Sequence, residues 1–139
     1  MTEEQRKEIA FRNFDSFGGF IKNNNYKLID IKDGYCEMEA EITESSMNPY
    51  NICHGGSLFG LLDTCCGACA SSDGRGALTV NSNINYMKTV TGTKVRAIGK
   101  TIKYGKHISV VEANIFDDQD RLVCNGTVTY YYIDDHVFK

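Results

Sequence analysis

The chain has 139 residues, 42% of them hydrophobic and 24% charged, which is enough apolar material for one core and rules out a compositionally disordered chain. A net charge of −3 and a pI near 5.6 lack the basic footprint of a nucleic-acid-binding domain. The leading Met1-Thr-Glu-Glu-Gln-Arg-Lys-Glu carries acids and no apolar segment of a signal, and the uncharged run near residue 60 falls short of the roughly 20 apolar residues of a spanning helix, so a cytoplasmic protein with no membrane partner is expected.

Residues 3–23 read as an amphipathic helix with Ile9, Phe11, Phe14 and Phe17 at apolar positions, interrupted at Gly18-Gly19. Strands are expected at 26–32 and 35–43. The second alternates Cys36, Met38, Ala40 and Ile42 against Glu37, Glu39 and Glu41, so one of its faces meets water. From about Ser57 to Ala70 the side chains are apolar or small on nearly every face, as in a helix at the centre of a core. Ser72-Asp-Gly-Arg-Gly76 is a turn, and strands follow at about 77–87, 94–104, 107–117 and 121–133. No β-α-β alternation calls for a parallel sheet. The economical packing is an α+β fold, a curved antiparallel sheet around the long helix, in a single domain spanning 1–139 with residues 1–25 as an N-terminal helical extension.

One carboxylate, Asp63, interrupts the uncharged central helix, and an ionised group buried there costs several kcal/mol unless it is paired or used. Gly55 and Gly56 stand at the helix start, where N–H groups without a helical partner and the positive end of the dipole suit an oxyanion. His54 and Asp63 are nine residues apart, roughly 13 Å along a helix axis, too far for both to touch one carbonyl. A two-fold dimer that sets the glycines of one subunit against the aspartate of the other resolves this and makes two composite sites.

Six cysteines raise the question of disulfides, metal or a thiol nucleophile. Cys65, Cys66 and Cys69 share the proposed helix, and Cys66-Gly-Ala-Cys69 has C-x-x-C form, yet no second pair or His cluster completes a zinc set. Small thiols filling a tight helix interface are the expected role. Of His54, His107 and His136, only His54 lies near them in sequence to serve as an activating base.

In the strand at 77–87, period two groups Thr79, Asn81, Asn83 and Asn85 on one face and Val80, Ile84 and Tyr86 on the other. The polar row suits either a solvated face or a ligand channel. Lys100, Lys103, Lys106 and His107 cluster around one turn, and Arg75 is placed to join them. Such cations hold phosphates through charge-assisted contacts, or form an ordinary solvated face. Gly105 suggests a close backbone approach there. Phe59, Leu62, Tyr86 and Met87 are the candidates for an apolar pocket.

Asn48-x-x-Asn-x-x-His54-Gly55-Gly56-x6-Asp63 resembles the signature of the PaaI-like branch of hotdog-fold acyl-CoA thioesterases, in the 4-hydroxybenzoyl-CoA thioesterase superfamily. Gly76-Ala-Leu-Thr79-Val-Asn-Ser-Asn-Ile-Asn-Tyr86-Met87 is similar to that family's third strand, and Tyr104-Gly105-Lys106 to the turn before its penultimate strand. The likeness runs from about residue 26 to 133. It implies hydrolysis of an aryl-acetyl or medium-chain acyl-CoA, with Asp63 activating water or attacking the thioester, Gly55 giving the oxyanion N–H and His54 polarising the thioester oxygen. Asn48 would orient substrate or water, and Thr79 would position the water. Gly56, Asn83, Lys103, Gly105, Lys106, His107 and Arg75 would contact the substrate or its CoA. The family's usual glycine three residues before the histidine is Asn51 here. No cofactor or metal is implied, and the assembly expected is a homodimer with composite sites, extended to a homotetramer. A hotdog hydratase or dehydratase and a non-catalytic acyl-CoA-binding module are the alternatives.

Overall fold

The computed structural model describes residues 1–133, and His136 lies outside them. Helix α1 (Glu3–Ser16) starts at Thr2, whose hydroxyl accepts from the Gln5 N–H while the Gln5 side chain accepts from the Thr2 N–H, a reciprocal capping box. The expected helix over 3–23 divides at Phe17-Gly18: Phe17 is extended, Gly19 sits at φ 60°, and a short α2 (Gly19–Asn23) follows. The β1 (Tyr26–Lys32) and β2 (Tyr35–Glu41) strands form a hairpin, then a 3-10 turn (Glu44–Ser46) leads towards α3 (Gly55–Ala70). Four strands complete the chain: β3 (Gly76–Tyr86), β4 (Lys94–Lys103), β5 (Ile108–Asp117) and β6 (Leu122–Ile133).

These strands form one six-stranded sheet in the order β1-β2-β4-β5-β6-β3, antiparallel at every pairing, with α3 packed against it. The expected architecture is therefore the observed one. On β2 the alternation holds: Cys36, Met38 and Ala40 are buried, whereas Glu37 and Glu39 meet Arg96 and Lys94 of β4 on the outer face. The core joins Leu58, Leu61, Leu62 and Cys65 of α3 to Met38, Val111 and Ile115 of the sheet. Among the described residues no helix is long and apolar enough to cross a membrane.

Small residues on α3 let the sheet close in. A Cβ on Gly60 would collide with the Tyr26 hydroxyl and the Phe20 ring, and one on Gly99 of β4 would already touch Cys65 Sγ at 3.5 Å. All six cysteines are free and buried. Burial, together with the neighbouring thiols, pushes Cys66 well above the ordinary thiol range, and burial raises Cys69 and Cys124 to about 11. Cys65 donates to the Cys36 carbonyl at 3.4 Å, and Cys69 Sγ lies 3.3 Å from the Thr101 hydroxyl. Thiolates are scarce here at neutral pH, which fits space-filling. At pH 8 the folded protein should therefore react slowly with a disulfide reagent at every cysteine and release all six thiols once unfolded in guanidinium, read by absorbance. A fast native thiol would count against this packing.

Candidate active site

At the start of α3, His54 is the N-cap residue, and its Nδ1 accepts the Gly56 N–H at 2.7 Å. An accepting Nδ1 leaves the proton of a neutral imidazole on Nε2, and His54 is an exposed residue. Gly56 thus has a different part from the substrate contact expected of it. Its N–H is engaged by His54, and a Cβ there would stand 3.0 Å from His54 Nδ1, so glycine makes room for the folded-back ring. The Gly55 N–H has no partner among the described residues, while the Gly55 carbonyl accepts from the Tyr86 hydroxyl at 2.9 Å. A donor open to a ligand remains at the positive end of a 16-residue helix.

The approach to this end is set by Asn48 and Asn51. Asn48 Oδ1 accepts from the N–H groups of Tyr50 at 2.9 Å and Ile52 at 3.3 Å, so this oxygen braces the loop and is not free to orient substrate. Asn51 takes φ 61°, the left-handed region that glycine enters freely and asparagine tolerates, at the position where the resemblance expects glycine. Buried Cys53 and Ser46 anchor the loop base through the Cys53 N–H to the Val90 carbonyl and the His54 N–H to the Ser46 carbonyl, at 3.0 and 2.7 Å.

Asp63 lies two turns along α3 and is half-buried. Thr79 donates to Asp63 Oδ1 at 3.0 Å. The Tyr130 hydroxyl lies 2.7 Å from the Asp63 backbone oxygen and 3.0 Å from Oδ1. Oδ2 has no protein partner among the described residues. Arg75 does not reach it, for its Nε meets Asp73 at 2.8 Å. Asp117 shows what a purely structural acid looks like in this chain. Its Oδ1 accepts from the Gln119 and Arg121 N–H groups, each at 2.9 Å, and its Oδ2 from Arg121 Nε at 2.8 Å. Asp63 by contrast has one oxygen held and one open.

Thr79 reaches Asp63 because β3 has a bulge. The register slips between Thr79, opposite Tyr130, and Asn81, opposite Thr129, with Val80 as the extra residue. Thr79, Ser82, Ile84 and Tyr86 then face α3, across from Tyr130, Val128, Gly126 and Cys124, whereas Asn81, Asn83 and Asn85 face away. Simple alternation had put Thr79 on the asparagine side. Asn83 is therefore not part of the Asp63 cluster. Tyr130 and Tyr86 are the residues that sequence reasoning missed in these roles; only strand register reveals them, although Tyr86 had been a pocket candidate. Its partner in that set, Leu62, is wholly buried in the core.

The basic turn is also rearranged. Arg75 stacks over the Tyr132 ring at 3.4 Å and donates Nη1 to the carbonyls of Gly105 at 2.9 Å and Lys106 at 3.2 Å, so it braces the β4–β5 turn instead of offering a free charge. A Cβ on Gly105 would collide with the Ile108 carbonyl, which accounts for the glycine without a ligand. Lys103, Lys106 and His107 remain exposed, and none of the ion pairs among the described residues involves Lys103 or Lys106.

Comparison with known proteins places this geometry. The family model of the "Thioesterase superfamily" matches residues 50–124, which include Gly55, Asp63 and Thr79. The acyl-coenzyme A thioesterase PaaI of Escherichia coli is 26% identical over 97 residues, covering 69% of each chain. The E. coli PaaI structure superposes with a TM-score of 0.89 at 20% identity, covering 97% of this chain and 98% of that one, which speaks to the fold. A thioesterase protein of Streptococcus pneumoniae, solved with coenzyme A, is 29% identical with a TM-score of 0.76, covering 80% of this chain and 90% of that one. With its sheet-wrapped helix and this match across more than half its length, the chain belongs to the thioesterase superfamily, as a PaaI-like enzyme of the hotdog fold.

Proposed function

We propose that the protein hydrolyses acyl-CoA thioesters at sites shared between two subunits, with Asp63 from one and the α3 N-terminus from the other. The observation that carries this is the half-held carboxylate. Thr79 and Tyr130 fix Asp63 Oδ1, and Oδ2 is open to take a proton from water or to attack the thioester carbon. Either route puts negative charge on the thioester oxygen. The Gly55 N–H supplies a fixed donor for it, and His54 Nε2 is the second donor assigned to that oxygen. Collapse of the tetrahedral intermediate breaks the C–S bond and releases the CoA thiolate, which takes the proton held by Asp63 in the water route; in the direct route it leaves an acyl–Asp63 anhydride that water then hydrolyses to the free acid. The E. coli relative named for acyl-coenzyme A supports the same carrier here, and exposed Lys103, Lys106 and His107 offer cations to its phosphates.

Two arguments support the shared site. Gly55 and Asp63 are eight residues apart on one helix, about 12 Å along the axis, so one chain cannot bring both to one carbonyl. Among the described residues strand β3 pairs only with β6, and its other edge is unpaired along 11 residues, with Leu78, Val80 and Tyr86 and the following Met87 exposed. A long apolar edge of this kind calls for cover, and a second β3 related by a two-fold axis provides it. This is a dimer at least; assembly of two dimers into a tetramer is the extended form of the same proposal.

The first test is free-thiol release from acetyl-, octanoyl-, palmitoyl- and phenylacetyl-CoA. Asp63→Ala should lower kcat by about 100-fold or more with folding and assembly intact. Equal turnover by both proteins would remove Asp63 from the chemistry. Thr79→Val and Tyr130→Phe keep the carboxylate but loosen it, and each should lower kcat by about tenfold while KM stays within about twofold.

The oxyanion donor is separately testable with Gly55→Pro. Proline suits the first helical position, and His54 at φ −64°, ψ 134° already has the backbone that precedes proline. The Tyr86 ring, 3.3 Å from the added Cβ, must give by a few tenths of an ångström. Loss of this one N–H should lower kcat by about 10²–10³. Co-expression of Gly55→Pro and Asp63→Ala subunits should then restore turnover well above either homodimer, since a mixed dimer has one intact composite site. No recovery in a verified mixed dimer would overturn the shared site.

A further inference from the structure

Helix α1 has an apolar side but buries none of its residues completely. Between it and α3 lies a cavity of about 400 Å³, within the usual size of a small-molecule site. Its walls include Ile9, Ala10 and Phe14 of α1, Ile31 of β1, Ala68 of α3 and Ala77 of β3. Protein interiors are close-packed, and an apolar void of this size forfeits the contacts that would fill it. α1 is not loosely attached, either. Arg6 holds Asp33 at 2.7 Å and also bonds the Ser72 carbonyl, and Lys7 holds Asp30 at 2.9 Å. The helix is therefore held in place, with a space beneath it.

One end of that space lies beside residues that flank Asp63 on α3, although Asp63, Thr79 and Tyr130 are not themselves among its walls. Thr64, next to Asp63, lines it. So does Gly67, one turn beyond Asp63, where an added Cβ would stand 3.5 Å from the Tyr130 hydroxyl that bonds Asp63. Ala77 lies on β3 two residues before Thr79, on the same side of the strand. Along α1 the lining extends from Glu3 to Phe14, eleven residues or about 16 Å. The space follows α1 as a groove.

We infer that this groove receives the acyl chain of the thioester, that its preferred occupant is an unbranched aliphatic chain of medium to long length, and that α1 is a specificity wall of the active site. The inference rests on the thioesterase reading above. It gives residues 1–25 a part in substrate choice, and it moves the acyl pocket away from Phe59 and Leu62. The thioester carbonyl would sit at the Asp63 end, with the chain running under α1 towards Arg6.

The test is a kcat/KM series on CoA esters from acetyl to palmitoyl plus phenylacetyl, with wild type, Ala10→Trp and Ala68→Phe, all checked for a cooperative melt. Wild type should favour the longer aliphatic esters over acetyl-CoA. Each filling variant should lower the palmitoyl-to-acetyl ratio by at least about tenfold, since even one methylene in such a pocket is worth that much. Wild type labelled with a non-hydrolysable thioether of CoA carrying a terminal diazirine supplies a readout independent of the variants: crosslinks should fall on residues 6–17 or 64–71. An unchanged ratio in both folded variants, a preference for phenylacetyl over every aliphatic ester, or crosslinks confined to Phe59 and Met87 would overturn the groove assignment while leaving thioester hydrolysis standing. No hydrolysis of any ester by wild type would overturn the thioesterase reading itself, and this inference with it.

Discussion

Four tyrosine hydroxyls hold the central helix by its carbonyl oxygens. Tyr26 of β1 bonds the Ser57 carbonyl at 2.6 Å, Tyr86 of β3 the Gly55 carbonyl at 2.9 Å, Tyr130 of β6 the Asp63 carbonyl at 2.7 Å, and Tyr132 of β6 the Ala70 carbonyl at 2.9 Å. Hydrophobic contact between a sheet and a helix is non-directional and tolerates sliding. These bonds are directional, and they act at both ends of α3 and at its middle. Burial raises the Tyr26 hydroxyl to about 12 and pushes Tyr130 up further, so both stay protonated as donors across the whole neutral range. The rotation and height of α3 against the sheet are fixed as a result. Gly55, Asp63 and the wall of the groove are all positioned by that one constraint.

The same pinning explains the small side chains of α3. Tyr26 can reach the helix backbone because residue 60 has no side chain, and Gly67 stands where an added Cβ would meet the Tyr130 hydroxyl. Glycine in a helix interior costs roughly 0.5–1 kcal/mol relative to alanine. The bonds and close packing it permits offset that cost.

Much of this was legible in the sequence, because the information was local. Alternation on β2, the small-residue helix, the turns and the histidine-glycine-aspartate spacing each depend on a few neighbouring residues, and the sheet formed where they pointed. The strand boundaries moved by only a residue or two. What escaped was non-local. The β3 bulge reverses the side on which every residue after Val80 faces, and no periodicity within the strand announces it. The Tyr130–Asp63 bond joins residues 67 apart. Arg75 looked like a free cation because Asp73, Tyr132 and the Gly105 carbonyl meet around it only after folding. Gly105 and Gly56 were read as places for a ligand, and each turns out to accommodate a neighbour in its own chain.

Asp63 and Asp117 differ in how completely their carboxylates are bonded. Asp117 is buried and Asp63 half-buried, and burying a charge is costly unless it is bonded. At Asp117 the chain meets this cost in full with three donors on two oxygens, and the result is a well-tied turn. At Asp63 it places the Thr79 and Tyr130 hydroxyls around one oxygen, and the other has no protein partner among the described residues. If Asp63 served the fold alone, a third donor or an apolar residue of similar size would serve it better, since an apolar substitute for buried charge is often neutral or stabilising. An oxygen held in a fixed direction and left unpaired is poor design for a core and good design for removing a proton or attacking a carbonyl. The incomplete bonding of this carboxylate, more than its presence, is what supports the role proposed for it.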